Sequence, residues 1–384
     1  MHGSARLYCP QFADGSCRSC SELPTPLGEQ RSRKLAQAAA VFGTEVAQLT
    51  PVSGPAEGFR NKAKMAAGGH AGRLTLGLNG LQQLAVDLCD CPLYPRSMRQ
   101  ALGVIRRWLN TLGIPPYDLS SRQGELKFVL LTEATPDRAL QLRLVLRSLD
   151  WLPQIRAALA TWQADWPDLQ VVSVNLQPEP MAVLEGEQET LLTTQRWLGV
   201  PCGRFRLQFG VRSFLQTNPV VAGELYAQAG RWIDELAPTS VLDLYCGIGG
   251  FAFHASAAGR KVRGIELSAE AIEGANESLR LAQSDPDLAR ATAQLSFACA
   301  DATVSELGSA DLVVVNPPRR GLGKSLCSAL SGSDCRWLIY SSCHLPSLQR
   351  DLADLSVFQP QRWQLFDMFP HTTHFETLVL LQRR

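Results

Sequence analysis

The chain has 384 residues, 45% of them hydrophobic and 19% charged, with a formal net charge of +1. That length favours two domains, each able to bury a full core, and the composition is that of an ordinary globular chain. No apolar stretch reaches membrane-spanning length, no signal peptide follows Met1, and eleven cysteines without such a signal read as reduced cytosolic thiols, not a disulfide scaffold.

In chain order, the first half opens on Cys9, Cys17 and Cys20, followed by a helix around Arg31–Phe42. A β-rich stretch over Gly58–Leu88 comes next, then mixed helix and strand from Ser97 to about Gln195. Within the β-rich stretch, period-2 alternation puts Arg60, Lys62 and Lys64 on one strand face, either a phosphate track or a solvated edge. Residues 1–210 carry 22 Lys+Arg against 18 Asp+Glu, whereas residues 211–384 carry 15 against 18. The excess of cations favours an anionic partner for the first half. A boundary near Gly210 divides the chain into domains 1–210 and 211–384.

The second half alternates strand and helix. Strands are expected at Val241–Tyr245, Val262–Glu266, Leu295–Cys299, Leu312–Asn316 and Trp337–Ser341, with helices at Phe251–Ala258, Ala269–Ala282, Lys324–Leu330 and Pro346–Leu355. This rhythm implies a parallel α/β sheet with right-handed crossovers. Two closing runs, Arg362–Phe369 and Phe375–Leu381, predict a hairpin that adds one antiparallel strand.

Chemistry concentrates at the strand ends, where ligands gather in open α/β sheets. Gly247-Ile248-Gly249 follows the first strand, and Glu266 ends the second, suited to accept hydrogen bonds from a ribose diol. The glycine pattern alone also fits a dinucleotide site. The Asn316-Pro317-Pro318-Arg319 run is typical of S-adenosylmethionine enzymes acting on bases and favours that cofactor over NAD. Enzymes that alkylate an exocyclic amine commonly place an aromatic residue after the Pro-Pro pair, and here Arg319 stands instead. Carbon 5 of a pyrimidine is not nucleophilic until a thiolate adds to carbon 6, and Cys343, ending the run Ile339-Tyr340-Ser341-Ser342, is positioned to supply it. Glu376 at the start of the last strand could then take the carbon-5 proton. Cys9-x7-Cys17-x2-Cys20 with Cys89-x-Cys91 offers five thiols for a four-ligand zinc or iron–sulfur site. Cys202, Cys246, Cys299, Cys327 and Cys335 read as small buried hydrophobes.

Taken together, Asp243-x-Tyr245-Cys246-Gly247-x-Gly249-x-Phe251, Asn316-Pro317-Pro318-Arg319, Ser341-Ser342-Cys343 and His374-x-Glu376 resemble the RNA 5-methyluridine methyltransferases. The N-terminal thiols point to an iron–sulfur branch. Gly58-Phe59-Arg60-Asn61-Lys62-Ala63-Lys64-Met65, Cys89-Asp90-Cys91-Pro92-Leu93-Tyr94-Pro95 and Phe366-Asp367-Met368-Phe369-Pro370-His371-Thr372 narrow it to enzymes of 23S ribosomal RNA. The resemblance implies a Rossmann-like methyltransferase domain after a central α/β domain that carries the cluster. It implies Cys343 as nucleophile and Glu376 as proton acceptor. Gln216, Tyr245, Glu266 and Asn316 would contact S-adenosylmethionine, and Cys9, Cys17, Cys20 and Cys91 would hold a [4Fe-4S] cluster. Most of the family has Asp where this chain has Asn316, which cannot act as a base. A monomeric cytoplasmic enzyme with no membrane attachment follows. The alternatives are a transfer RNA uridine methyltransferase and a non-catalytic iron–sulfur RNA-binding protein.

Overall fold

The computed structural model describes residues 7–43, 50–79, 85–180, 184–303 and 307–384. The chain forms two compact units, and each is discontinuous in sequence. Met1–Cys20 joins Pro55–Val200 in the first, and Ser21–Gly54 joins Pro201–Arg384 in the second. A single boundary near Gly210 therefore misses one exchange: the helix after the cysteine cluster belongs with the C-terminal half, because its partners lie there.

The first unit is built on a seven-stranded sheet in the order Ala85–Asp87, Arg73–Asn79, Lys62–His70, Leu126–Ala134, Ala139–Leu146, Leu169–Leu176, Gln188–Leu191. Its strands are antiparallel except for Ala139–Leu146 and Leu169–Leu176, which run parallel on either side of the helix Leu152–Asp165. The helix Arg96–Leu112 presents Met98, Leu102, Ile105 and Leu109 at three- and four-residue spacing. That stripe packs with Met65, Leu76, Val129, Leu131 and Leu142 in one core. The expected cationic strand face is only partly realised. The strand begins at Lys62, so Arg60 lies ahead of it and donates from Nε to the Lys62 carbonyl at 3.2 Å. Lys62 is half-buried and Lys64 exposed.

The second unit contains, in chain order, α1 (Leu27–Phe42), β1 (Val52–Ser53), α2 (Pro219–Leu236), β2 (Ser240–Leu244), α3 (Gly250–Ala255), β3 (Lys261–Glu266), α4 (Ala269–Ser284), β4 (Leu295–Cys299), β5 (Leu312–Val315), α5 (Gly323–Gly332), β6 (Trp337–Ser342), α6 (Leu345–Asp354), β7 (Phe358–Asp367) and β8 (Glu376–Arg383). Its eight-stranded sheet has the order β1-β7-β8-β6-β5-β2-β3-β4. Strands β6, β5, β2, β3 and β4 are mutually parallel, and β8 runs antiparallel to β6 and β7. All four residues of β5 are buried, as a central parallel strand covered on both faces requires. Parallel strands bring their carboxyl ends to one edge of the sheet. Because β8 is reversed, its first residue meets them there.

Candidate active site

Five segments converge on that edge: Tyr245–Gly249 after β2, Glu266 ending β3, Asn316 after β5, Cys343 after β6 and Glu376 opening β8. The turn after β2 is wound through the left-handed region at Tyr245 (φ 61°), Gly247 (φ 55°) and Gly249 (φ 92°). For Tyr245 that conformation costs of the order of 1 kcal/mol, and such strain clusters at ligand sites. A Cβ on Gly247 would meet nothing within 4 Å, so backbone there faces open space that a ligand can approach. Glu266 pins the turn: its carboxylate accepts from Gly247 N at 3.2 Å and from Ser268 N at 2.9 Å. Asp243 is fully buried and accepts from Ala252 N at 2.9 Å through one oxygen, while its other oxygen, Oδ1, has no partner. Burial, with Glu266 nearby, pushes its carboxyl up to about 8.

The remaining cofactor candidates flank this turn. Asn316 is half-buried, and its backbone N–H donates to the Leu244 carbonyl at 3.4 Å. Gln216 is buried in the loop before α2. Two residues on, Asn218 caps α2 through Val221 N and donates from Nδ2 to the Met368 carbonyl at 3.2 Å. The loop that carries Gln216 is thus tied to the turn that delivers Glu376.

Cys343 is half-buried at the junction of β6 and α6. Register pairs Ser342 with Thr377 and Ser341 with Leu378, which brings Glu376 beside the end of β6. Glu376 is 1% exposed, and the Ser341 hydroxyl donates to its Oε1 at 2.8 Å. Burial outweighs that bond and lifts its carboxyl to about 7, in the range a general base needs near neutral pH. Burial also pushes the Cys343 thiol up to about 11, with Glu376 raising it further and Arg319 drawing it back. A thiol, a tunable carboxylate and a guanidinium therefore act on one another at this edge.

Four positioning side chains, Gln30, Arg31, Lys34 and Asp351, carried no motif. Lys34 of α1, 2% exposed, donates to Asp367 Oδ1 at 2.7 Å and to the Phe369 carbonyl at 3.0 Å, and Arg31 donates to Asp367 Oδ2 at 3.1 Å. Gln30 accepts from His371 N at 2.9 Å. These bonds clamp the turn between β7 and β8. Removing one member of such a buried pair costs about 3–5 kcal/mol. On α6, Asp351 Oδ2 accepts from Tyr340 Oη and Leu322 N, both at 2.7 Å, which anchors the loop following Arg319. Gly321 stands at φ 83°, and a Cβ there would fall 2.3 Å from Asp351 Oδ2. A lysine on the apolar face of α1 was the signal available in sequence, but its partner lies 333 residues away.

In the first unit, Cys9, Cys17, Cys20 and Cys91 line one cavity of about 140 Å³ with Arg60 and Lys64 among its walls. Cys20 is pushed up to about 12, by burial first and then by Cys91, Cys17 and Cys9. Cys89 is absent from that lining. It is 1% exposed in the hydrophobic core, and its titration is governed by burial, Asp87 and Arg106. Among the described residues no group of three or more His, Cys, Asp or Glu could hold a metal ion as the side chains stand. In a [4Fe-4S] cluster each thiolate binds its own iron, so the sulfurs stay farther apart than around a single ion. The donor set suits that class of cofactor.

Residues 193–384 match the family described as tRNA (Uracil-5-)-methyltransferase. The 23S rRNA (uracil(747)-C(5))-methyltransferase RlmC of Shewanella amazonensis is 44% identical, the alignment covering 98% of this chain and 97% of that one. The protein of the same name from Halothiobacillus neapolitanus is also 44% identical over 98% of this chain and 100% of its own length. Among solved structures, the Pyrococcus abyssi tRNA (uracil-54, C5)-methyltransferase in complex with S-adenosyl-L-homocysteine superposes with a TM-score of 0.78. At 21% identity over 94% of this chain and 85% of that one, it establishes the methyltransferase fold. With near full-length relatives at this identity and a family match over residues 193–384, the chain belongs to the tRNA (Uracil-5-)-methyltransferase family and is an RNA uracil-C5 methyltransferase.

Proposed function

We propose that the protein methylates carbon 5 of one uridine in 23S ribosomal RNA, at the position equivalent to uracil 747 named for its relatives, through a covalent Cys343 adduct. The observation that carries this reading is that Cys343, just past β6, lies close enough to buried Glu376, which opens β8, for the carboxylate to act on the thiol, beside the strained glycine turn. The Cys343 thiolate adds to carbon 6 of an extruded uracil, and the electron pair moves to the ring as an enolate with carbon 5 nucleophilic. S-adenosylmethionine, when bound, supplies the methyl group to carbon 5 and leaves as S-adenosylhomocysteine. Glu376 takes the carbon-5 proton, the ring electrons return, and the Cys343–carbon-6 bond breaks to free the thiolate. The carboxylate's position near neutrality suits that proton transfer, since it is largely ionised at slightly alkaline pH yet not so weak a base as an exposed glutamate.

Around the cofactor, Glu266 would meet the ribose diol, Tyr245 and Asn316 would flank the open face at Gly247, and Gln216 would approach from its loop. The unpartnered Asp243 Oδ1 supports a ligand on this side of the turn. Cys9, Cys17, Cys20 and Cys91 would hold a [4Fe-4S] cluster that crosslinks the start of the chain to the Leu88–Tyr94 turn. Thiolate addition and methyl transfer need no electron carrier, so its part is structural. Action on ribosomal RNA assigns the protein to the cytoplasm.

Mapping 5-methyluridine in ribosomal and transfer RNA from cells with and without the protein tests the target. One 23S site lost on deletion and regained with the wild-type gene supports the reading, whereas loss confined to transfer RNA overturns it in favour of a transfer RNA enzyme.

A further inference from the structure

Arg319 follows the Pro-Pro pair after β5, and His374 lies two residues ahead of Glu376 at the start of β8. Both strands flank β6, whose end carries Cys343. Arg319 Nη2 lies 3.3 Å from His374 Nδ1, with both side chains exposed. The His374 backbone is itself held, its amide donating to Thr372 Oγ1 at 3.2 Å. A guanidinium has donors only. The contact is therefore a hydrogen bond only when Nδ1 carries no proton, so the imidazole must be neutral and protonated at Nε2.

We infer that His374 is a positioning residue that holds the Arg319 guanidinium at the mouth of the Cys343 site, and that it does so only as the neutral imidazole. Arg319 is the group that draws the Cys343 thiol toward thiolate, while Glu376 opposes it. Protonation of His374 replaces an acceptor with a cation, and Arg319 is repelled into solvent. The thiol then keeps the opposing carboxylate and loses the guanidinium that offsets it. The groups that face the imidazole favour the neutral form: partial burial, then Arg319 beside it, Lys34 from α1 and His344 from the start of α6 all lower its pKa. The arrangement makes nucleophile activation sensitive to acid through a residue that does not touch the reacting atoms.

This inference rests on Cys343 being the nucleophile, and the test separates the two. The rate of covalent adduct formation with 5-fluorouridine RNA is measured on the full chain with S-adenosylmethionine, for wild type, His374→Asn, His374→Ala and Cys343→Ala. An asparagine carbonyl oxygen can take the place of Nδ1 as acceptor but does not titrate. At slightly alkaline pH, His374→Ala should slow the adduct roughly threefold to tenfold, as a shift of up to about one unit in the thiol implies, with His374→Asn within about twofold of wild type. Below roughly pH 6 the ratio of His374→Asn to wild-type rate should rise, because only wild type loses its acceptor. Glu376 titrates in every variant and cancels in that ratio. Histidine ¹⁵N spectra should show Nδ1 of His374 unprotonated in wild type at neutral pH, with its pKa raised in Arg319→Ala. Adduct formation by Cys343→Ala defeats the nucleophile assignment itself. A normal adduct that depends on Cys343, with alanine and asparagine variants alike at all pH values, defeats the His374 inference alone.

Discussion

The cavity lined by Cys9, Cys17, Cys20 and Cys91 and the edge that carries Cys343 both hold thiols that burial pushes up, Cys20 and Cys91 in the one and Cys343 in the other. They differ in company. In the first, the charged neighbours that raise Cys20 are the other thiols of the cavity, with Arg60 drawing it back, and a set of thiols ionises together only if a cation arrives to compensate it. In the second, a single thiol faces one carboxylate that opposes its ionisation and one guanidinium that favours it. Burial opposes ionisation of Cys20 and of Cys343 alike. What distinguishes the two thiol environments is the neighbours, not the burial.

The largest effect expected of any substitution tests the second site. Cys343→Ala should abolish methyl transfer, by at least about a thousandfold, while S-adenosylmethionine binding measured by calorimetry stays near wild type. At the first site, Cys91→Ser should remove the brown colour and the roughly four irons per chain expected of anaerobically purified protein, and Cys89→Ser should leave both. A colourless protein with one zinc, or equal loss from the two serine variants, breaks the contrast drawn between the thiols.

Glu376 sharpens it through pH. Its carboxyl stands at about 7 in the folded chain against an ordinary 4.5, so the folded state prefers it protonated. The associated stability is fully present below about pH 4.5 and is lost as pH rises through 7. Glu376→Gln should therefore raise the unfolding free energy by up to about 3 kcal/mol at pH 8 and change it little at pH 4.5, which denaturant titration measures. With unmodified RNA the same variant should accumulate the covalent intermediate. The smallest expected effect is at the rim of the thiol cavity. If Lys64 meets RNA, Lys64→Ala should make the salt slope of binding shallower by about 0.7, one neutralised phosphate, and an unchanged slope makes it a solvated edge residue.

The second half was legible because its central strands are continuous apolar runs. Leu312–Val315 and Trp337–Ser342 fall within a residue of expectation, and the reversed terminal strand is present. Cys343, Glu266 and Glu376 stood out because strand ends are where such side chains become useful. What escaped was whatever depends on distant partners. Val52–Ser53 is too short to show a period, and it exists only because β7 offers it a free edge. Asp351 looks like a solvated helix residue until Tyr340 and Leu322 are brought to it. Arg60 alternates with Lys62 and Lys64 in sequence, yet it precedes the strand and turns to the thiol cavity.

The clamp of α1 on Asp367 ties the order of biosynthesis to the order of assembly. Lys34 emerges from the ribosome 333 residues before the carboxylate that neutralises it, a wait on the order of half a minute at about ten residues per second. Until β7 is made, the apolar face of the helix, Leu35, Ala38 and Ala39, lacks the strand it packs on. The catalytic half cannot be finished until nearly the last strand has been made. A fragment starting at Pro201 would lack α1 and β1, leaving Asp367 buried without its cations and β7 with an open edge. Expression of the methyltransferase half alone should yield insoluble protein, and supplying residues 21–54 as a separate chain should recover part of it.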